Sequence, residues 1–172
     1  MKKIALFRYL LLVMCVTLIS CGGSRSRTSD SDLKAYEKLQ ELVNSRGFEI
    51  ENQWAIPLRG GRINLIGNPN FIRFKGDSAD VFLPYFGVRQ SGGGYGEGGG
   101  IEYKGPTEDL EIIENRENKN IRIKFDGKMG TESLSFYINL HPNGNAETSV
   151  NSNQRDAISY RGDLEPLKEE NE

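Results

Sequence analysis

The spacing of apolar residues changes once along the chain, near Gly47. Before it, Leu33, Tyr36, Leu39, Leu42 and Val43 recur every three or four positions, which makes one face of a helix apolar. Asp30 or Ser31 can cap it, Asp32 suits the first turn, and Gly47 is the predicted stop. A helix of about fourteen residues is marginal in water, so its apolar stripe must lie on other structure. Beyond Gly47 apolar and polar residues alternate, from 48–56 through 157–161. Turn signals separate the segments, among them Gly60-Gly61, Gly67-Asn68-Pro69-Asn70, Gly76-Asp77-Ser78 and His141-Pro142-Asn143-Gly144-Asn145. The pattern predicts a mainly β domain, an antiparallel meander of about nine strands. It is curled into a sheet or lipocalin-like barrel, with the helix packed on it. Trp54 falls in phase with Phe48 and Ile50 and is expected in the core. The run 81–88 is apolar on both faces, which predicts a central strand, with a bulge or edge beginning at Pro84.

The first twenty residues stand apart from this pattern. Lys2, Lys3 and Arg8 precede an apolar stretch at 9–19, shorter than the roughly 20 residues that cross a bilayer, as in a secretory signal peptide. Leu18-Ile19-Ser20-Cys21 resembles the bacterial lipobox, which implies cleavage before Cys21 and a diacylglyceryl thioether on it. The expected organisation is a signal peptide at 1–20, a flexible tether at 21–31, one β-rich domain at 32–167 and a disordered tail at 168–172. Cys15 leaves with the signal and Cys21 carries lipid, so no thiol or disulfide chemistry remains. Removing the signal leaves 19 basic against 24 acidic residues, a net charge of −5, which argues against nucleic acid as partner. Two or more acyl chains anchor stably. The expected location is the cell envelope, on the outer membrane, and the lack of an acidic cluster directly after Cys21 gives the expectation that it faces the periplasm.

The richest stretch is 81–103, read as a core strand, a glycine loop and a returning strand. Gly92, Gly93, Gly94, Gly96, Gly98, Gly99 and Gly100 make the loop flexible unless something closes on it. A G-x-G-x-x-G match at 94–99 is nearly unavoidable in such a window. A strand follows it rather than a helix N-terminus, so nucleotide binding is rejected. Tyr85, Phe86 and Arg89 lead into the loop, and Tyr95 is its only large side chain. Together they are the candidate binding residues, able to stack on a sugar, lipid or peptide. His141 is the only histidine and sits in a turn, so neither a supported triad nor a histidine metal cluster is expected, and no cofactor or metal. Asp77, Asp80, Glu97, Glu102, Glu108 and Asp109 are the carboxylates left for acid–base chemistry, all at turns or loop ends. Arg155 is read as the anchor of its own turn.

Leu83-Pro84-Tyr85-Phe86-Gly87, the loop end Gly99-Gly100-Ile101 and the segment Asn153-Gln154-Arg155-Asp156-Ala157-Ile158-Ser159-Tyr160-Arg161-Gly162 resemble a family of small lipoproteins from gut Bacteroidota. That family is catalogued as a domain of unknown function (numbered 4251). The likeness runs over about 32–167 and implies a mostly β envelope domain with an N-terminal helix. It carries over no catalytic residue. The leading expectation is a non-enzymatic binding module that uses the Tyr85–Tyr103 hairpin region. Its partner would be a small hydrophobic or saccharide ligand or an envelope protein. The alternatives are an assembly subunit that binds through a sheet edge and a carboxylate-dependent hydrolase.

Overall fold

The computed structural model describes residues 30–90 and 99–168. Helix α1 (Asp30–Ser45) is followed by ten strands: β1 (Gly47–Pro57), β2 (Ile63–Asn64), β3 (Phe71–Lys75), β4 (Ser78–Leu83), β5 (Ile101–Pro106), β6 (Glu108–Asn115), β7 (Asn120–Met129), β8 (Glu132–Leu140), β9 (Asn145–Ser152) and β10 (Ile158–Pro166). In α1, Tyr36, Leu39 and Val43 are buried and Leu42 packs beside them, while Leu33 is exposed. The helix stop differs from expectation. Arg46, not Gly47, takes the left-handed conformation (φ 54°), and Gly47 opens β1. The Arg46 carbonyl accepts the Gly76 amide at 3.0 Å, a tertiary bond that holds the strained residue in place.

Every strand pairing is antiparallel, and the sheet runs β5-β4-β3-β1-β10-β9-β8-β7-β6, with β2 added beside β1. The meander holds except at β1, which lies between β3 and β10. The two ends of the path, β5 and β6, are separated in sequence by Thr107 alone and run in the same direction. They behave as one bent strand whose first half pairs with β4 and whose second half pairs with β7. The sheet therefore comes round on itself, nearly closed into a barrel. A barrel of about eight strands has a bore just wide enough for side chains to fill.

That bore is filled. Residues alternate in and out along β7, β8 and β9, and inward Phe48, Phe74, Phe125 and Phe136 form a column. Phe48 and Phe74 stack at 4.6 Å, Phe74 meets Phe125 edge-on at 5.4 Å, and Phe125 stacks on Phe136 at 4.5 Å. Each such pair adds roughly 0.5–1.5 kcal/mol beyond area burial. Tyr103 from β5 completes the column beside Phe136, over Gly127, where an added Cβ would come 2.7 Å from its ring. The helix packs at the end of the barrel where β1 begins and β8 and β10 finish. The connections β1–β3, β4–β5, β7–β8 and β9–β10 gather at the other, called here the loop end.

Two expectations are corrected. Trp54 does not face the core: a bulge between Asn52 and Trp54 shifts the register by one, so Ala55 turns inward and Trp54 lies outside under Arg62, 4.4 Å from its ring. The backbone of inward-facing Asn52 is completed by Asn70, whose side chain accepts its N–H and donates to its C=O, both at 2.9 Å. The run 81–88 is not a strand covered on both faces. β4 ends at Leu83, before Pro84, and its outward Phe82 sits 6.0 Å from Phe71.

Opposite the bulge, Gly162 has no room for a side chain, because a Cβ would fall 2.0 Å from the Glu51 carbonyl oxygen and 2.5 Å from the Asn52 Cα. Backbone cannot yield as a side chain does. Gly162→Ala is expected to destabilise the domain by about 3 kcal/mol, as overpacking does. Gly61→Ala, in open space, should stay within about 0.5 kcal/mol. Urea midpoints at unchanged slope measure both.

Candidate functional site

At the loop end the barrel is closed by charge. Glu132 is the first residue of β8 and points inward, in phase with Leu134, Phe136, Ile138 and Leu140. Arg155, in the β9–β10 connection, reaches it from above: Nε donates to Oε1 and Nη2 to Oε2, each at 2.6 Å. Both side chains are almost wholly buried, at 1% and 3% exposure. Ser152 Oγ donates to Oε1 at 2.5 Å, and Arg155 Nη1 donates to the Gly100 carbonyl at 2.9 Å. A second guanidinium, that of Arg89, lies 3.5 Å from Oε2.

The segment 84–90 is strapped across this pair. Arg89 bridges Arg155 through the backbone, the Gln90 amide donates to the Gln154 carbonyl at 2.7 Å, and the Asp156 amide donates to the Val88 carbonyl at 3.0 Å. The Tyr85 hydroxyl lies 3.0 Å from both the Val88 and Asp156 carbonyls, and the Arg155 guanidinium sits 5.0 Å over its ring. Beneath, Tyr160 donates to the Pro84 carbonyl at 2.8 Å, and burial pushes its hydroxyl far above the ordinary phenol range. Burial alone would push the Glu132 carboxyl up. The hydrogen bonds from Arg155 and Ser152 and the charges of Arg155 and Arg89 outweigh it and hold the carboxyl below its usual range. A carboxylate with both oxygens so occupied is a poor proton acceptor, and the chemistry of this cluster is that of a clip.

The predicted residues divide accordingly. Tyr85 and Arg89 join the cluster, Phe86 is exposed on the strap, and Gly100 serves through its carbonyl. Tyr95, Gly92, Gly93, Gly94, Gly96, Gly98 and the lipidation residue Cys21 lie outside the described residues, and Gly99 stands in open space. Of the acidic candidates, Asp77, Glu102, Glu108 and Asp109 are exposed and Asp80 pairs with Lys104 at 2.9 Å, while Glu97 is outside the described residues. Arg155 anchors four segments, not its own turn alone. Glu132, Ser152 and Tyr160 were not anticipated, although the inward phase of Glu132 along β8 was readable. Among the described residues no group of three or more His, Cys, Asp or Glu side chains could hold a metal, and no helix is long and apolar enough to cross a membrane.

Removing one partner leaves the other charge buried and alone. Glu132→Gln or Arg155→Met is expected to cost about 3–5 kcal/mol, and the Glu132→Leu/Arg155→Met pair less than either single change. Because the Glu132 pKa is lowered on folding, its stabilisation is full above the unfolded carboxylate pKa and is lost as pH falls through the folded value. Glu132→Gln should therefore flatten the acid limb of the stability profile, read from urea midpoints between about pH 3 and 7.

Of the curated proteins, none matches. A solved structure, the crystal structure of a DUF4251 family protein from Bacteroides eggerthii at 1.95 Å resolution, superimposes with a TM-score of 0.59 at 19% identity, covering 79% of this chain and 90% of that one. At that identity it supports the fold alone. The model of the domain of unknown function DUF4251 matches residues 31–164, from the first turn of α1 into β10, and the chain belongs to that family.

Proposed function

We propose that this protein is a lipid-anchored, non-enzymatic binding module of the cell envelope that contacts an envelope protein through the loop end of its barrel. One observation carries this reading. Of the nine large apolar side chains exposed among the described residues, five lie in or beside the connections at the loop end: Leu58, Phe82, Phe86, Val88 and Met129. Apolar side chains gathered on one surface mark interaction sites. The bore is occupied by the protein's own rings, which leaves the outer surface for contact. The tether from Cys21 enters at Asp30, at the helix end, so an anchored molecule presents the loop end away from its bilayer.

Non-enzymatic action agrees with the state of Glu132, whose oxygens are taken up by Arg155 and Ser152. Binding through a sheet edge is less favoured, since β5 and β6 bring the two edges of the sheet together.

Two measurements test the reading. Palmitate should label the protein in cells and fail to label Cys21→Ala, and equal labelling would remove the anchor. A photoreactive amino acid at position 86 should give one protein adduct of defined mass in intact cells, while the same probe at position 137, exposed on β8, gives none. Adducts at both positions, or at neither, would overturn binding by the loop end.

A further inference from the structure

The opposite end carries a second feature, independent of that reading. Between α1 and the β8–β9 turn lies an open cleft of about 500 Å³, within the range of small-molecule sites. Its apolar lining comes from Ala35, Leu39 and Leu42 on the helix, Pro142 in the turn and Leu164 on β10. Lys34 and Lys38, one helical turn apart, stand at its edge with His141. Neither lysine has an ion-pair partner among the described residues, and none of the lining residues is acidic. In a domain with net negative charge, this is a local reversal of sign over an apolar floor.

We infer that the cleft binds a single-chain amphiphile that ends in a carboxylate, of the fatty-acid class. Its hydrocarbon chain lies on Leu39, Leu42 and Leu164, and its carboxylate is held between Lys34 and Lys38. The ammonium stems cover part of the chain while their heads stay in water. The Asn139 side-chain nitrogen, 3.0 Å from His141 Nε2, fixes the ring beside the cleft. A neutral chain of equal length would meet the same floor but lose both cations.

The test uses the full chain in phosphatidylcholine vesicles with a diazirine-bearing palmitate, and maps the adducts by peptide mass spectrometry. Adducts are expected on the lining segments around Leu42 and Leu164. Lys34→Glu/Lys38→Glu should reduce them at least about fivefold, the range two exposed ion pairs supply, and the methyl ester of the probe should label less by a similar factor. Leu42→Trp, which fills the floor without altering charge, should also abolish them, while circular dichroism shows both variants folded. Equal labelling by acid and ester, labelling unmoved by the charge reversal, or adducts spread over the surface would each overturn the inference.

Discussion

The bidentate bond between Glu132 and Arg155 is the interaction on which the loop end depends. A barrel lined with phenyl rings has two open ends, and water at either would meet apolar surface. At one end Tyr36, Leu39 and Val43 of α1 supply an apolar cover. At the other, no helix is available, and the chain uses charge. A buried ion pair is not by itself strong evidence for stability, since desolvation offsets much of the attraction. What it provides is direction. Five donors in a fixed fork, four oxygen lone pairs and a carbonyl at Gly100 determine where the β9–β10 connection, the start of β5 and the strap 84–90 must lie relative to β8.

The closure of the sheet has a local cause. The β5 ladder with β4 runs through Gly105 and Pro106, where the Tyr103 hydroxyl donates to the Pro106 carbonyl, and the Thr107 amide and hydroxyl both donate to the Asp77 carbonyl. These bonds bend one strand so that it serves β4 first and β7 next. The bore of this nearly closed ring is filled by Phe48, Phe74, Phe125 and Phe136. The two ends differ in character: apolar loops at one, an apolar cleft edged by lysine at the other.

Much of this fold was legible in the residues, and the failures have physical reasons. Period-two alternation and glycine turns located the strands, because each strand has one buried face. Trp54 was misplaced because a single extra residue at Gln53 reverses every later side chain, and a bulge leaves no compositional mark. The run 81–88 reads as a central strand because Phe82 is outward yet apolar. Glu132 was overlooked because acidic residues near turns are usually solvated, although its phase along Glu132, Leu134 and Phe136 pointed inward. Arg155 has no phase to read, lying in a connection. Its partner is 23 residues away in sequence, and the β8–β9 pairing, which sets Leu134 against Ser152, brings the two together.

If the ion pair holds the strap, amide hydrogen exchange in Arg155→Met should show it. The Gln90 and Asp156 amides, which bond across to the Gln154 and Val88 carbonyls, are expected to lose protection, while Leu164, bonded to the Gly144 carbonyl at the helix end, keeps its own. Loss of protection at both ends together, or at neither, would contradict the account.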